Sequence, residues 1–224
     1  MRLRAQALTI AFLSGFAAAA PAQVASGQFQ LTPYGGFLWA DKSAALDDAP
    51  VVGLEGVYYA STNIAFGFYG SFTRGQSDGS YFPAMQWDVG PDTTRLFHVG
   101  QDLSIATYGG VLKLGMTFGR IAPYVAGGIG GYTFFLDPQS NDQPQVMSGT
   151  TFEAGGGFHL GLTQRTGLRV DVRDVVFTDY DRDKLNPVQE RFRSTVFLHA
   201  RPPAAESTVH NLRAAIGFTY LPGR

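Results

Sequence analysis

The chain has 224 residues and no cysteine, with 17 basic and 18 acidic side chains that leave a formal charge of −1. A near-balanced charge without an extended basic patch argues against nucleic acid as a partner. The lack of cysteine rules out disulfides and cysteine-based metal or redox chemistry. Twenty-eight glycines, 18 Phe and 10 Tyr accompany moderate average hydropathy. That combination suits a barrel with an apolar outside and a polar inside better than a soluble core.

Arg2 and Arg4 precede an apolar run from Ala7 to Ala19 and the small-x-small sequence Ala20-Pro21-Ala22. This reads as a cleavable export leader over residues 1–22, because the run is shorter than the about 20 apolar residues of a spanning helix. A single domain over residues 23–224 is expected to follow. The 17 basic residues less Arg2 and Arg4, set against 18 acidic ones, give this part a charge of about −3.

Eight strands follow in chain order. The first runs from about Phe29 to Trp39. The second presents Val52, Leu54, Gly56 and Tyr58 on one face and Glu55 on the other, then turns across Ala60-Ser61-Thr62-Asn63. The third, Asn63 to Thr73, alternates Ile64, Phe66, Phe68, Gly70 and Phe72 with Ala65, Gly67, Tyr69, Ser71 and Thr73, the period-two signature of a half-buried strand. Tyr108 to Phe118 repeats it, with Lys113 on the polar face, before a turn at Gly119 to Pro123. Tyr124 to Phe135 forms the fifth strand. Its facing is ambiguous because Gly127-Gly128-Ile129-Gly130-Gly131 carries little pattern, and its glycines suggest close backbone approach or strong bending. Phe152 to Leu162 alternates Phe152, Ala154, Phe158 and Leu160 with Glu153 and His159. After a turn at Thr163 to Thr166, Leu168, Val170 and Val172 alternate with Arg169, Asp171 and Arg173. The outward set breaks at Asp174, which reads as a bulge or as the membrane rim. The last strand, Val209 to Leu221, directs Leu212, Ala214, Ile216, Phe218 and Tyr220 outward and would pair with the first.

Short turns at one end oppose long loops at about 40–49, 74–102, 136–149 and 178–208, the plan of an outer-membrane barrel with its long loops outside the cell. The expected fold is therefore all-β: an eight-stranded antiparallel transmembrane β-barrel, an up-and-down meander. A soluble lipocalin-like barrel would place its apolar face inside.

Glu55, Lys113, Glu153, Arg169, Asp171, Arg173 and Arg213 all fall on the face opposite the lipid-directed residues. On the lipid face each Arg or Lys would cost about 2–4 kcal/mol at mid-membrane. Their positions along the strands confine them to a band roughly 16 Å deep. An eight-stranded barrel is only wide enough for its own side chains. Three carboxylates and four cations at similar depth are thus expected to form an ion-pair plug. The competing expectation is a narrow pore gated by the same pairs.

Other chemistry is weaker. Glu206, Ser207 and His210 suggest a lipid-hydrolysing group, but the His-x-Ser spacing of outer-membrane lipid A deacylases is absent, His199 being followed by Ala200 and Arg201. Asp179, Asp181, Asp183 and Glu190 occupy positions one, three, five and twelve of a calcium loop. Lys184 replaces the required glycine and Pro187 stands where another ligand is common. Arg182, Arg191 and Arg193 in that loop are candidates for lipopolysaccharide phosphate. The glycine runs lack a phosphate-loop arrangement, and His98, His159, His199 and His210 lack metal-ligand spacing. No enzyme, metal or cofactor is expected.

Ala122-Pro123-Tyr124-Val125-Ala126-Gly127-Gly128-Ile129-Gly130-Gly131-Tyr132 and Leu168-Arg169-Val170-Asp171-Val172-Arg173-Asp174 resemble strands of the small outer-membrane barrels of the OmpA and OmpX type. The likeness covers about residues 28–221 and is closer to the stand-alone barrels than to those carrying a peptidoglycan-binding domain. It implies an outer-membrane location and an interior salt-bridge network on Glu55, Lys113, Glu153 and Arg169 or Arg173. It also implies contact with outer-membrane lipid and lipopolysaccharide, and insertion by the barrel-assembly machinery. Surface ligands would be met through the loops.

Overall fold

Residues two apart on a strand share a face, and the C-terminal strand shows what that alternation does here. Val209, Asn211, Arg213, Ala215 and Thr219 are buried, whereas Leu212, Ile216, Phe218 and Tyr220 are exposed. The polar and small set turns inward and the large apolar set faces what would be lipid. A computed structural model describes residues 26–137, 145–185 and 204–222.

The strands are β1 (Phe29–Trp39), β2 (Ala49–Tyr59), β3 (Ile64–Gln76), β4 (Met85–Gly90), β5 (Thr93–Phe97), β6 (Asp102–Gly115), β7 (Ile121–Asp137), β8 (Gln145–Gly161), β9 (Thr166–Thr178) and β10 (Thr208–Tyr220). Eight of them form a closed barrel in the order β1-β10-β9-β8-β7-β6-β3-β2, with β4 and β5 a separate two-stranded hairpin. Every neighbour is antiparallel, and β1 pairs with both β2 and β10 to close the ring. No sheet edge is left along the barrel wall, as a lipid-facing sheet requires. Among the described residues no helix is long and apolar enough to cross a membrane.

The register fixes the tilt. Following paired residues from Trp39 through Leu212, Asp174, Ala154, Gly127, Leu112, Phe66 and Tyr58 leads back to β1 at Phe29, ten residues from the start. A shear of that size in eight strands corresponds to a tilt of about 40°. Each residue then rises about 2.5 Å along the barrel axis. From Phe29 to Trp39 is therefore about 25 Å, the height of the apolar band of an outer-membrane barrel. Phe29, Tyr58, Phe158 and Tyr220 ring the turn end on the outside, and Trp39, Phe72, Tyr108 and Phe152 ring the loop end, all of them exposed. Such aromatic girdles mark the two membrane interfaces.

Several local features differ from the sequence reading. The segment between β3 and β6 is not all loop, because Gly90-Pro91-Asp92-Thr93 turns β4 into β5. The turn before β7 is tighter than expected. Phe118 and Ile121 exchange both backbone hydrogen bonds at 2.8 and 3.1 Å across Gly119-Arg120, with Gly119 at a φ of +61° that favours glycine. Pro123 accordingly lies within β7 near the rim. Asp174 is not a bulge, since its pairing to Leu212 and Ala154 continues the ladders on both sides. The facing of β7 is resolved: Tyr124, Ala126, Tyr132, Phe134 and Leu136 are buried, while Val125, Ile129 and Phe135 are exposed. Its glycine run serves close approach, because a Cβ on Gly130 would lie 1.9 Å from the Tyr108 carbonyl oxygen.

Candidate functional site: a charged lumen beneath an apolar cap

The inward residues form three layers. In the middle lie the seven charged side chains singled out above, from β2, β6, β8, β9 and β10, none more than 3% exposed. Glu55 is the hub. Its Oε1 meets Lys113 Nζ and lies 2.6 Å from Arg169 Nη1, and its Oε2 lies 2.6 Å from Arg173 Nη2. Asp171 Oδ2 is 3.1 Å from Arg169 Nε and 3.2 Å from Arg173 Nη2. Glu153 takes both terminal nitrogens of Arg213, at 3.0 and 2.7 Å, and Arg173 Nη1 at 3.1 Å. Arg173 thus touches all three carboxylates and joins the set into one network. Two-pronged guanidinium contacts of this kind fix orientation as well as charge.

Tyrosines that the sequence reading did not single out complete the layer. Tyr124 Oη donates to Asp171 Oδ2 at 2.8 Å, and Lys113 Nζ sits 4.4 Å from the centre of the Tyr124 ring. The Tyr34 ring lies 4.8 Å from the Arg169 guanidinium carbon and 5.4 Å from that of Arg213. Cations over such faces are attracted to the ring quadrupole. Gly53 makes room for Tyr34, since a Cβ there would be 2.3 Å from Tyr34 Cζ. The alternation Gln30, Thr32, Tyr34 in β1 was the available signal for this residue.

Above the charges, at the loop end, the lumen becomes apolar. Leu38, Leu103, Ile105, Tyr132, Phe134, Met147 and Phe177 from the wall pack with Ala44, Leu46, Phe82, Tyr180 and Leu185 from the loops. Phe134 and Phe177 meet edge to face at 5.7 Å, and Tyr132 lies 4.7 Å from Phe177. Short 3₁₀ turns at Lys42–Ala44 and Arg182–Leu185 bring two loops over the mouth. They are tied there by Tyr180 Oη donating to the Ala44 carbonyl at 2.6 Å. The inner face is therefore not polar throughout. Arg182 also differs from expectation: it is buried and its Nη1 lies 3.4 Å from the Ser43 carbonyl, joining loops rather than facing lipid phosphate.

Below the charges, at the turn end, lie Tyr59, Ala65 and Val57, with Gln30, Thr32 and Thr219 linked by hydroxyl and amide contacts of 3.1–3.5 Å. His159 occupies this layer, its ring 5.0 Å from that of Tyr124.

His210 Nδ1 lies 2.8 Å from Asp174 Oδ2 on the outer wall, so that nitrogen is engaged away from Ser207 and Glu206. Asp181 accepts the Asp183 amide at 3.2 Å and lies 3.5 Å from Lys184. Among the described residues no group of three or more His, Asp or Glu side chains could hold a metal ion. Pro187, Glu190, Arg191, Arg193 and His199 lie outside the described residues.

A closed, uniformly antiparallel barrel with an apolar outer band between aromatic girdles and a charged lumen is an integral outer-membrane β-barrel. The family model for the outer membrane protein beta-barrel domain matches residues 8–189, and the chain belongs to that family, which places it in the outer membrane. Among solved structures it is similar to neisserial surface protein A, NspA, with 10% identity over 86% of this chain and 96% of that one, at a TM-score of 0.54. It is also similar to the outer membrane protein OprG of Pseudomonas aeruginosa, with 14% identity over 89% of this chain and 99% of that one, at a TM-score of 0.52. At these identities the likeness is one of fold. No curated protein matches the chain.

Proposed function

We propose that this protein is a non-enzymatic outer-membrane barrel that closes its own lumen, stiffens the membrane it spans and presents its loops for surface contact. One observation carries the reading: Arg173 links Glu55, Asp171 and Glu153 across the bore while an apolar layer lies above them. A conducting path would have to break buried ion pairs and also admit water between Phe134, Phe177 and Leu185. Export with removal of residues 1–22 belongs to the same reading, leaving residues 23–224 as a single barrel domain. So do insertion by the assembly machinery and contact with lipopolysaccharide around the wall. An unidentified ligand would be met by the long loops, where variation costs little stability.

The test is single-channel recording of the refolded chain in a planar bilayer, after a heat-dependent gel shift has established insertion. Silence is expected. Reproducible current steps that change in Lys113→Ala would make the protein a pore gated by these pairs and overturn the closed-lumen reading.

A further inference from the structure

The charges of the lumen do not cancel. Lys113, Arg169, Arg173 and Arg213 face only Glu55, Asp171 and Glu153, so the network carries one excess positive charge. The three carboxylates are shared unevenly. Glu153 is taken up by Arg213 and Arg173 at the loop side, and Asp171 by Arg169, Arg173 and Tyr124. Lys113 has Glu55 alone, and Glu55 is shared with two guanidiniums. The uncompensated charge thus falls on the turn side of Glu55.

That side opens into a recess. Lys113, His159, Tyr59, Tyr124, Asn63 and Thr117 contribute to its wall, and its volume is about 20 Å³. A second recess of about 20 Å³ also borders His159, with Gln30, Arg120, Thr166 and Thr219 in its wall. Neither contains a carboxylate in its lining. His159 is only 8% exposed, and neither of its ring nitrogens has a protein hydrogen-bond partner. A buried imidazole left in that state is costly unless a ligand or water meets it. It offers at least one N–H whether neutral or protonated.

We propose that the turn end of the lumen binds one small inorganic anion of halide size between the Lys113 ammonium and the His159 ring N–H. Charge selects an anion, because Lys113 and His159 border the recess, no carboxylate lines it, and the network behind it is positive. Size selects a halide, because a recess of this volume takes about one water-sized particle. The second recess has Arg120 in its wall in place of Lys113 and lies away from the uncompensated charge of the network. The site is independent of whether the lumen conducts, since it lies on the turn side of the ion pairs.

The experiment follows His159 by ¹⁵N NMR in the refolded full barrel as sodium bromide is added, with sodium gluconate at equal ionic strength as control. A saturable shift of the ring nitrogens with bromide and none with gluconate is expected. Lys113→Met should weaken half-saturation by at least about tenfold, the effect of losing one charge-assisted contact. Equal shifts in both salts, or no saturation, would overturn the proposal and leave water alone in both recesses. Should Lys113→Met fail to fold, anomalous diffraction from wild-type crystals grown in bromide decides. A peak between Lys113 Nζ and the His159 ring supports the site, and its absence at that position refutes it.

Discussion

Replacing Glu55 by glutamine keeps the shape of the network and removes the charge on which it converges. Three cations lose an ion pair at once, but unequally. Arg169 retains Asp171 at 3.1 Å, and Arg173 retains Asp171 and Glu153 at 3.2 and 3.1 Å. Lys113, 2% exposed, retains no carboxylate. Leaving one buried charge without its partner costs about 3–5 kcal/mol, which is the expected destabilisation of Glu55→Gln. The excess charge in the lumen rises from one to two, so the origin of the loss can be checked by removing a cation. Glu55→Gln/Lys113→Met should recover at least about 1.5 kcal/mol relative to the sum of the single variants, a coupling within the range for residues in one network. Urea unfolding in phospholipid vesicles, followed by tryptophan fluorescence at unchanged denaturant slope, measures both quantities. A loss below about 1 kcal/mol in the single variant, or simple additivity in the double variant, would refute the claim that buried ion pairing holds the lumen together.

Other perturbations test the remaining layers. Tyr124→Phe removes the hydroxyl that donates to Asp171 at 2.8 Å, and the same unfolding assay should show a loss of about 1.5–3 kcal/mol, the worth of a hydrogen bond to a charged group. Phe177→Ala empties a fully buried position among Tyr132, Phe134 and Tyr180. It should cost about 3–5 kcal/mol yet leave planar-bilayer recordings silent, because the ion pairs beneath the cap remain. On the outer wall, Ile216 lies midway between Tyr220 and Leu212 on β10, and Ile216→Arg should cost about 2–4 kcal/mol. Ser104→Arg, near the loop-side end of β6, should cost less than about 1 kcal/mol, and equal effects in refolding yield and unfolding midpoint would misplace the apolar band.

The sequence made the wall legible because lipid imposes a single rule on alternate residues. Phe66, Phe68 and Phe72 could face only the bilayer, and Glu55, Lys113 and Arg169 could face only the lumen. The rule goes silent where both faces are small, which is why Gly127 to Gly131 left β7 undecided until its pairing with β6 and β8 placed Tyr124 and Tyr132 inward. It is silent again where both faces are apolar. In β7 the run Phe134-Phe135-Leu136 gives no alternation to read, although Phe134 and Leu136 belong to the cap and Phe135 is exposed. Phe82, Tyr180 and Leu185 lie in segments without strand periodicity, so their place over the mouth follows from loop folding rather than from pattern. Gly90-Pro91-Asp92 did carry a turn signal for the β4–β5 hairpin. The ion partners lay between these extremes. Facing brought seven charges into one bore, but only the register decided that Arg173 reaches all three carboxylates.

The layering gives the lumen two unlike ends. At the loop end, Phe82, Tyr180 and Leu185 lie over Phe134 and Phe177 and exclude water from the charges below, so the ion pairs there interact in a medium of low dielectric and hold more tightly than solvated pairs would. At the turn end, Val57, Tyr59 and Ala65 lie below the charges, and Lys113 and His159 border the small recess beside them. Short turns face the periplasm in barrels of this kind and long loops face outward. On the closed-lumen reading, a passage for solutes is blocked among the described residues by the apolar layer above Arg173, which offers no hydrogen bonds to replace those of a hydrated ion. On the same reading, exchange with the surroundings falls to the two exposed surfaces, the apolar band with its girdles and the loops above it. The Asp174–His210 pair on the outer wall fits that division. Asp174 lies two strands from Trp39 along the ladder, about 6 Å nearer the bilayer centre, and its bond to His210, one pleat closer to the loops, offsets the cost of a carboxylate on a face otherwise given to lipid.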